Sequence, residues 1–363
     1  MKAPARIVLI SAVALLVAAA LGVAPAGSAR KVEPYKPSIF NLFAPESINE
    51  DVVMHEGAVG SARVPRYVDS TPLTPYQTAD GMTVYVSFSS FYLADAAVAQ
   101  SYVDWLGRFT HGSELDGLQL YFYSPAEIAA VCGEGALACY SNDQIFFSAV
   151  EPEPGEPHIL EVLAHEYGHH IAAHRLNPPW PAMWWGPKRW ASQMNVCRNT
   201  ADGYFFPGAE TRPQYALNPG EGWAEAYRRS IEVKQGWADM GWNVVDNVFN
   251  PGPSELELVN LDVTEPWLAP TTDVARGKLR RNGVRRFKRY IYDGAMSASV
   301  TGARGISVSV NADGRILRGP ARRVSFFNCS RKSVTVVVRS KFGGRYRLST
   351  TQNDAQGWNP WTT

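Results

Sequence analysis

The sequence predicts an α+β domain of mixed helices and strands followed by a small all-β sandwich. Three observations predict it. Short alternating apolar segments precede an aliphatic stretch with helical composition, Ile159–Ala173, in the first half of the chain. Residues 268–363 carry repeated alternating segments, such as 334–340 and 345–349, with basic residues at the outer positions. Charge divides at the same place: residues 30–267 hold 14 Lys+Arg against 30 Asp+Glu, and residues 268–363 hold 19 against 4. The overall formal charge of +1 conceals this division.

The elements follow in order. Residues 1–29 have Lys2 and Arg6, an apolar run over 7–23 and small residues through Ala29, the pattern of a secretory signal peptide cleaved after Ala26 or Ala29. Export implies a secreted, extracellular protein. No later stretch approaches the roughly 18 apolar residues of a spanning helix, so no membrane span is expected in the mature chain. Residues 30–75 are Pro-rich without clear periodicity and read as an extended segment or a propeptide. The α+β domain is expected over 76–267, with strands at 82–88, 117–123 and 145–148 and helices at 94–109 and 159–173. The stretch 177–190 brings Trp180, Trp184, Trp185 and Trp190, which with Trp223 are expected to pack more often than to line a cleft. Pro219 and Gly220 fit the start of another helix.

Four cysteines in an exported chain suggest disulfides. Cys132 and Cys139 close a small loop containing two glycines. Cys197 and Cys329 remain, and pairing them would tie the α+β part to the sandwich. A Cys-based zinc site is disfavoured because no CxxC spacing occurs.

The chemistry concentrates in His165-Glu166-Tyr167-Gly168-His169. Positions i and i+4 share a helix face, so His165 and His169 can offer two imidazole nitrogens to one Zn2+ ion, and Glu166 can reach a water bound there. Gly168 costs helix stability, about 1 kcal/mol relative to alanine, which suggests a close approach to the helix at that point. A catalytic zinc usually keeps three protein ligands. Arg175 and Ala172 stand where the metzincin continuation needs histidine and glycine, so the third ligand lies further on, among Asp202, Glu210, Glu221 and Glu225. Glu221 and Glu225 fall at i and i+4 of the helix that Pro219 opens. Glu221 is expected to bind the metal, and Glu225 to accept the free ring N–H of a ligand histidine and fix its tautomer. His170 and His174 repeat the i, i+4 spacing with no Glu in the base position and are expected to support the site or lie on the surface.

His165 to His169, then Tyr215, then Glu221-Gly222-Trp223-Ala224-Glu225-Ala226-Tyr227 resemble the gluzincin zinc metallopeptidases, particularly the catalytic domain of the anthrax-lethal-factor type. The resemblance covers roughly residues 158 to 230. It implies a zincin-like catalytic domain, Glu221 as the third ligand, and Tyr215 as donor to the transition-state oxyanion; here Tyr215 precedes Glu221 by six residues, a spacing slightly different from the family's. It also implies hydrolysis of peptide or protein substrates, with Glu166 as general base and the substrate added as a strand along an exposed sheet edge. Residues 268–363 resemble, in pattern only, the bacterial pre-peptidase C-terminal modules, and their basic balance suits an anionic cell-surface polymer. The competing expectation is a polyanion- or cell-surface-binding protein with an inactive or structural zinc fold. Glu166 argues against it, since a structural site needs no base.

Overall fold

The computed structural model describes residues 30–31, 71–150, 158–237 and 244–354; the predicted signal peptide and most of the 30–75 segment lie outside the described residues. β1 (Arg30–Lys31) pairs in parallel with β4 (Tyr92–Leu93). The α+β part is built on a five-stranded sheet. It begins with β2 (Thr74–Gln77), two residues before the expected boundary at 76, and β2 pairs antiparallel with β3 (Thr83–Phe88). α1 (Ala96–Leu106) starts at Asp95, whose carboxylate accepts from Ala97 N–H at 2.9 Å and Val98 N–H at 3.2 Å, satisfying donors that have no partner within the helix. β5 (Gln119–Phe122) lies parallel to β3, and α2 (Pro125–Cys132) follows with Ser124 and Glu127 forming a capping box. β6 (Ala138–Ser141) and β7 (Gln144–Phe147) form a hairpin whose two turn residues, Asn142 and Asp143, take φ of 49° and 63°. Asn and Asp tolerate that left-handed region, which a two-residue hairpin turn requires.

The sheet order is β2-β3-β5-β7-β6, with β6 an antiparallel edge strand on an otherwise mainly parallel core. Alternation sends Val86, Phe88, Leu120, Phe122, Ile145 and Phe147 to the face that packs on the helices, where they are at most 4% exposed. Tyr123, Phe146 and Cys139 point to the other face, against Ile128 and Cys132 of α2, and the Cys132–Cys139 disulfide closes this smaller cluster.

α3 (Ile159–Ala173) matches the sequence expectation in both bounds and is buried nearly all round. At its start His158 Nδ1 accepts from Leu160 N–H at 3.2 Å and the Glu161 carboxylate accepts from His158 N–H at 2.9 Å. A short hairpin of β8 (Leu176–Asn177) and β9 (Trp180–Pro181) leads into α4 (Ala182–Trp185), α5 (Lys188–Gln193) and α6 (Val196–Ala201). α7 (Pro219–Gln235) opens with Pro219, the Asn218 side chain accepting from Gly220 N–H at 3.0 Å, and ends at Gly236 in the left-handed conformation at φ 68°. α3 and α7 meet at Gly168: a Cβ there would lie 2.9 Å from Ala224 Cα, so only glycine lets the helices come this close. Trp223 Nε1 donates to the Gly168 carbonyl at 2.9 Å across the same contact. Trp190 and Trp223 are fully buried and Trp180 stacks on Trp185 with ring centroids 4.5 Å apart, so these four pack, as expected, whereas Trp184 is 40% exposed. α8 (Pro253–Thr264) completes the layer. Arg175, from the end of α3, donates to the carbonyls of Asp262 at 2.7 Å and Val263 at 2.8 Å and pairs with Glu114 at 2.9 Å. It thus satisfies carbonyls that the last turn of α8 cannot.

The C-terminal part is two four-stranded antiparallel sheets. One has the order β10 (Thr271–Leu279), β17 (Gly344–Gln352), β12 (Gly294–Gly302), β15 (Arg323–Asn328); the other has β11 (Gly283–Ile291), β16 (Lys332–Ser340), β13 (Ile306–Ala312), β14 (Arg315–Ala321). Val300, Val308, Val310, Val336, Val338 and Leu348 fill the space between them. The molecule is therefore an α+β mix. The Cys197–Cys329 disulfide joins α6 to the sandwich across 132 residues, and both cysteine pairs are those expected, the second as the pair that remained. Also between the two parts Lys188, fully buried, reaches Asp293 Oδ1 at 3.3 Å, while holding Asn177 Oδ1 at 3.0 Å, and Trp180 meets Phe327 edge-on. No described helix is long and apolar enough to cross a membrane.

Candidate metal centre

His165 and His169 point from one face of α3 toward α7, and Glu221 comes to meet them from the first turn of α7. His165 Nε2 lies 3.1 Å from His169 Nε2 and 3.2 Å from Glu221 Oε2, and His169 Nε2 lies 3.5 Å from that same oxygen. Three ligands on one tetrahedral zinc, each at the usual bond length, stand about 3.3–3.5 Å from one another. The three donor atoms thus have the separations of a ligand face, and all three residues are at most 2% exposed. Glu166 Oε2 is buried and has no hydrogen-bond partner among the described residues, a costly arrangement for a carboxylate unless the site gives it a task. The donor set fits a zinc ion.

Electrostatics supports this reading. Burial works to depress the His165 imidazole, but its hydrogen bonds to Glu221 and Glu225 overcome burial and raise it to about 10, so the cluster draws positive charge onto these atoms. Burial raises Glu166 above the ordinary carboxylate range, opposed by the imidazoles of His165 and His169. Glu225 behaves differently. Burial works to raise it, yet the Arg228 guanidinium and His165 hold it at about 2, so it is an anion throughout the neutral range. His165 Nδ1–H donates to Glu225 Oε1 at 3.1 Å, so Nε2, which faces Glu221 and His169, is the nitrogen that would give up its proton to a bound cation.

The structure brings the expected site residues together. Tyr215, in a short 3₁₀ turn before α7, is 2% exposed and donates to Glu221 Oε2 at 2.8 Å. The two rejected carboxylates lie elsewhere: Asp202 is exposed and pairs with Arg198 at 2.6 Å, and Glu210 is exposed. Sequence reasoning missed the group behind Glu225. Arg228 Nε donates to Glu225 Oε2 at 2.6 Å, and its Nη1 meets Glu161 Oε1 at 3.1 Å and also Glu232. The signal was present in the spacing of Glu225, Arg228 and Glu232 at i, i+3 and i+7, which places all three along one helix face.

No family model matches the chain, and no curated protein matches it. Among solved structures, the chain is similar to PliG of Aeromonas hydrophila, a periplasmic inhibitor of g-type lysozyme, at 12% identity over 23% of this chain and 86% of that one, with a TM-score of 0.20. It is also similar to the Yersinia pseudotuberculosis-derived mitogen at 13% identity, over 23% of this chain and 88% of that one, again at 0.20. Likenesses at this level carry no argument about function.

Proposed function

We propose that this chain is a secreted zinc-dependent metallopeptidase of the gluzincin type, with His165, His169 and Glu221 holding the ion. The observation that carries the reading is the buried triangle of donor atoms at 3.1, 3.2 and 3.5 Å beside the partnerless Glu166 Oε2. When bound there, zinc supplies Lewis-acid polarisation of a water and of the scissile carbonyl. Glu166 takes the proton that the attacking water loses and returns it to the departing amine nitrogen, a role suited to a carboxyl raised by burial. Tyr215 Oη, now donating to Glu221 Oε2, turns its hydrogen to the oxyanion as charge develops, a contribution of about 10²-fold or more. Glu225, held ionised by Arg228, keeps His165 in the tautomer that presents Nε2. The antiparallel edge strand β6 packs against α3, which suits a substrate added as a further strand. Cleavage of a peptide library by the purified chain, abolished by a chelator and restored by Zn2+, tests the reading; no cleavage with Zn2+ bound would reject it.

A second reading concerns the sandwich and rests on register. Arg276 of β10 stands directly opposite Arg347 of β17, and Lys278 opposite Arg345, all exposed on the outer face. Like charges in facing positions destabilise a sheet. A basic trough held at that cost suits an anionic polymer at the cell surface, and residues 268–363 then anchor the enzyme near its substrate.

A further inference from the structure

α3 carries a second pair of histidines one residue out of step with the first. His170 and His174 stand at i and i+4 and project toward the β6–β7 turn, where Asp143 occupies a left-handed position at φ 63°. His174 Nε2 lies 2.7 Å from Asp143 Oδ1, and His170 Nδ1 lies 3.5 Å from that same oxygen. One ligand atom from each of the three residues falls within 4.8 Å of the other two. His170 is 1% exposed, and its Nε2–H donates to the Glu114 carbonyl at 2.7 Å. That bond sets the tautomer: Nδ1 carries the lone pair, and it faces the Asp143 carboxylate. The Tyr140 hydroxyl, 3.4 Å from His170 Nδ1, and the His174 Nε2–H, 2.7 Å from Asp143 Oδ1, can each place a proton at the positions that a cation would otherwise take. A histidine ligand that gives its other ring N–H to a backbone carbonyl is the usual arrangement at metal sites.

We propose that Asp143, His170 and His174 form a second metal site, separate from the one at His165, that takes a first-row divalent cation such as Zn2+. Two imidazoles and one carboxylate suit such an ion, whereas Ca2+ and Mg2+ favour all-oxygen ligands. The side chains of His174 and Asp143 are 39% and 51% exposed, so water completes the coordination and the ion enters from solvent. Bound there, it clamps the β6–β7 turn onto the last turn of α3 and so fixes edge strand β6 beside the catalytic helix.

Equilibrium titration of the chelator-stripped full chain with Zn2+, read by competition with a chromophoric indicator, tests the site without measuring activity. The wild-type chain is expected to take up about two equivalents, and His174→Ala and Asp143→Ala about one each. His169→Ala is expected to retain about one equivalent, and its combination with His174→Ala close to none. His174 and Asp143 are at the surface, so their replacement opens no core, and the metal-free melting temperature checks this. Uptake by both single variants equal to that of the wild-type chain overturns the proposal. The two sites fail separately: were the His165 centre misread, His169→Ala would lose nothing while His174→Ala would still lose an equivalent.

Discussion

Glu221 and Glu225 stand four residues apart on α7 and act on opposite sides of one imidazole. Glu221 Oε2 joins the two Nε2 atoms, whereas Glu225 Oε1 holds the far nitrogen of His165. On the proposed assignment, removing the first deletes a ligand and removing the second loosens one. Glu221→Ala should therefore lose bound zinc and peptide cleavage together, as zinc analysis of the purified variant would show. Glu225→Ala should weaken zinc affinity by about 10- to 100-fold. Asp202→Ala should change neither, because Asp202 is exposed and bonded to Arg198. Metal lost from Asp202→Ala and kept by Glu221→Ala would contradict the assignment.

At the scale of elements, the α3–α7 pair is held by a buried group in which one guanidinium, Arg228, faces Glu161, Glu225 and Glu232. Burial raises Glu161 to about 7, with Glu232 adding to it and Arg228 opposing. A carboxyl raised in the fold contributes stability below its ordinary value of 4.5, and that stability is lost as pH rises through about 7. Glu161→Gln keeps an oxygen for Arg228 and for the His158 N–H but cannot ionise. Its melting temperature relative to wild type, followed by circular dichroism, should rise between pH 5 and pH 8; an offset independent of pH would contradict this. Removing the cation leaves buried acids uncompensated, so Arg228→Met should cost about 3–5 kcal/mol. The helices of this pair were legible in sequence because Ile159–Ala173 is aliphatic and Pro219 marks a helix start. β6 was not, because its four residues lie between a glycine loop and a two-residue turn, and the Asn142-Asp143 signal went unused. Glu225 and Glu232 share α7 with Arg228 and their spacing was readable, but Glu161 faces Arg228 from α3, and His170 and His174 face Asp143 from α3, so only the folded chain completes either group.

Across the whole molecule, the contact between the two parts runs against their net charges. The acidic part supplies Lys188 and the basic part supplies Asp293, in a buried pair that joins the same two parts as the Cys197–Cys329 bridge. Docking thus uses few of the sandwich's cations; of its 19 Lys and Arg, all but Arg289, Arg331 and Lys332 are exposed. Those charges remain available to an outside polyanion. The full chain should bind immobilised heparin at low salt with an affinity that falls steeply as salt rises, and replacing Lys278 and Arg345 by Gln should reduce the retention. No retention at low salt would reject that role. The proposed role of the other part is that of a zinc hydrolase with Glu166 as its proton acceptor. It is tested most directly by measuring zinc content and peptide cleavage in the same samples of wild-type chain and Glu166→Gln. Equal zinc and a loss of cleavage of at least about 10²-fold in the variant are expected. A variant that holds zinc and cleaves at the wild-type rate would contradict it.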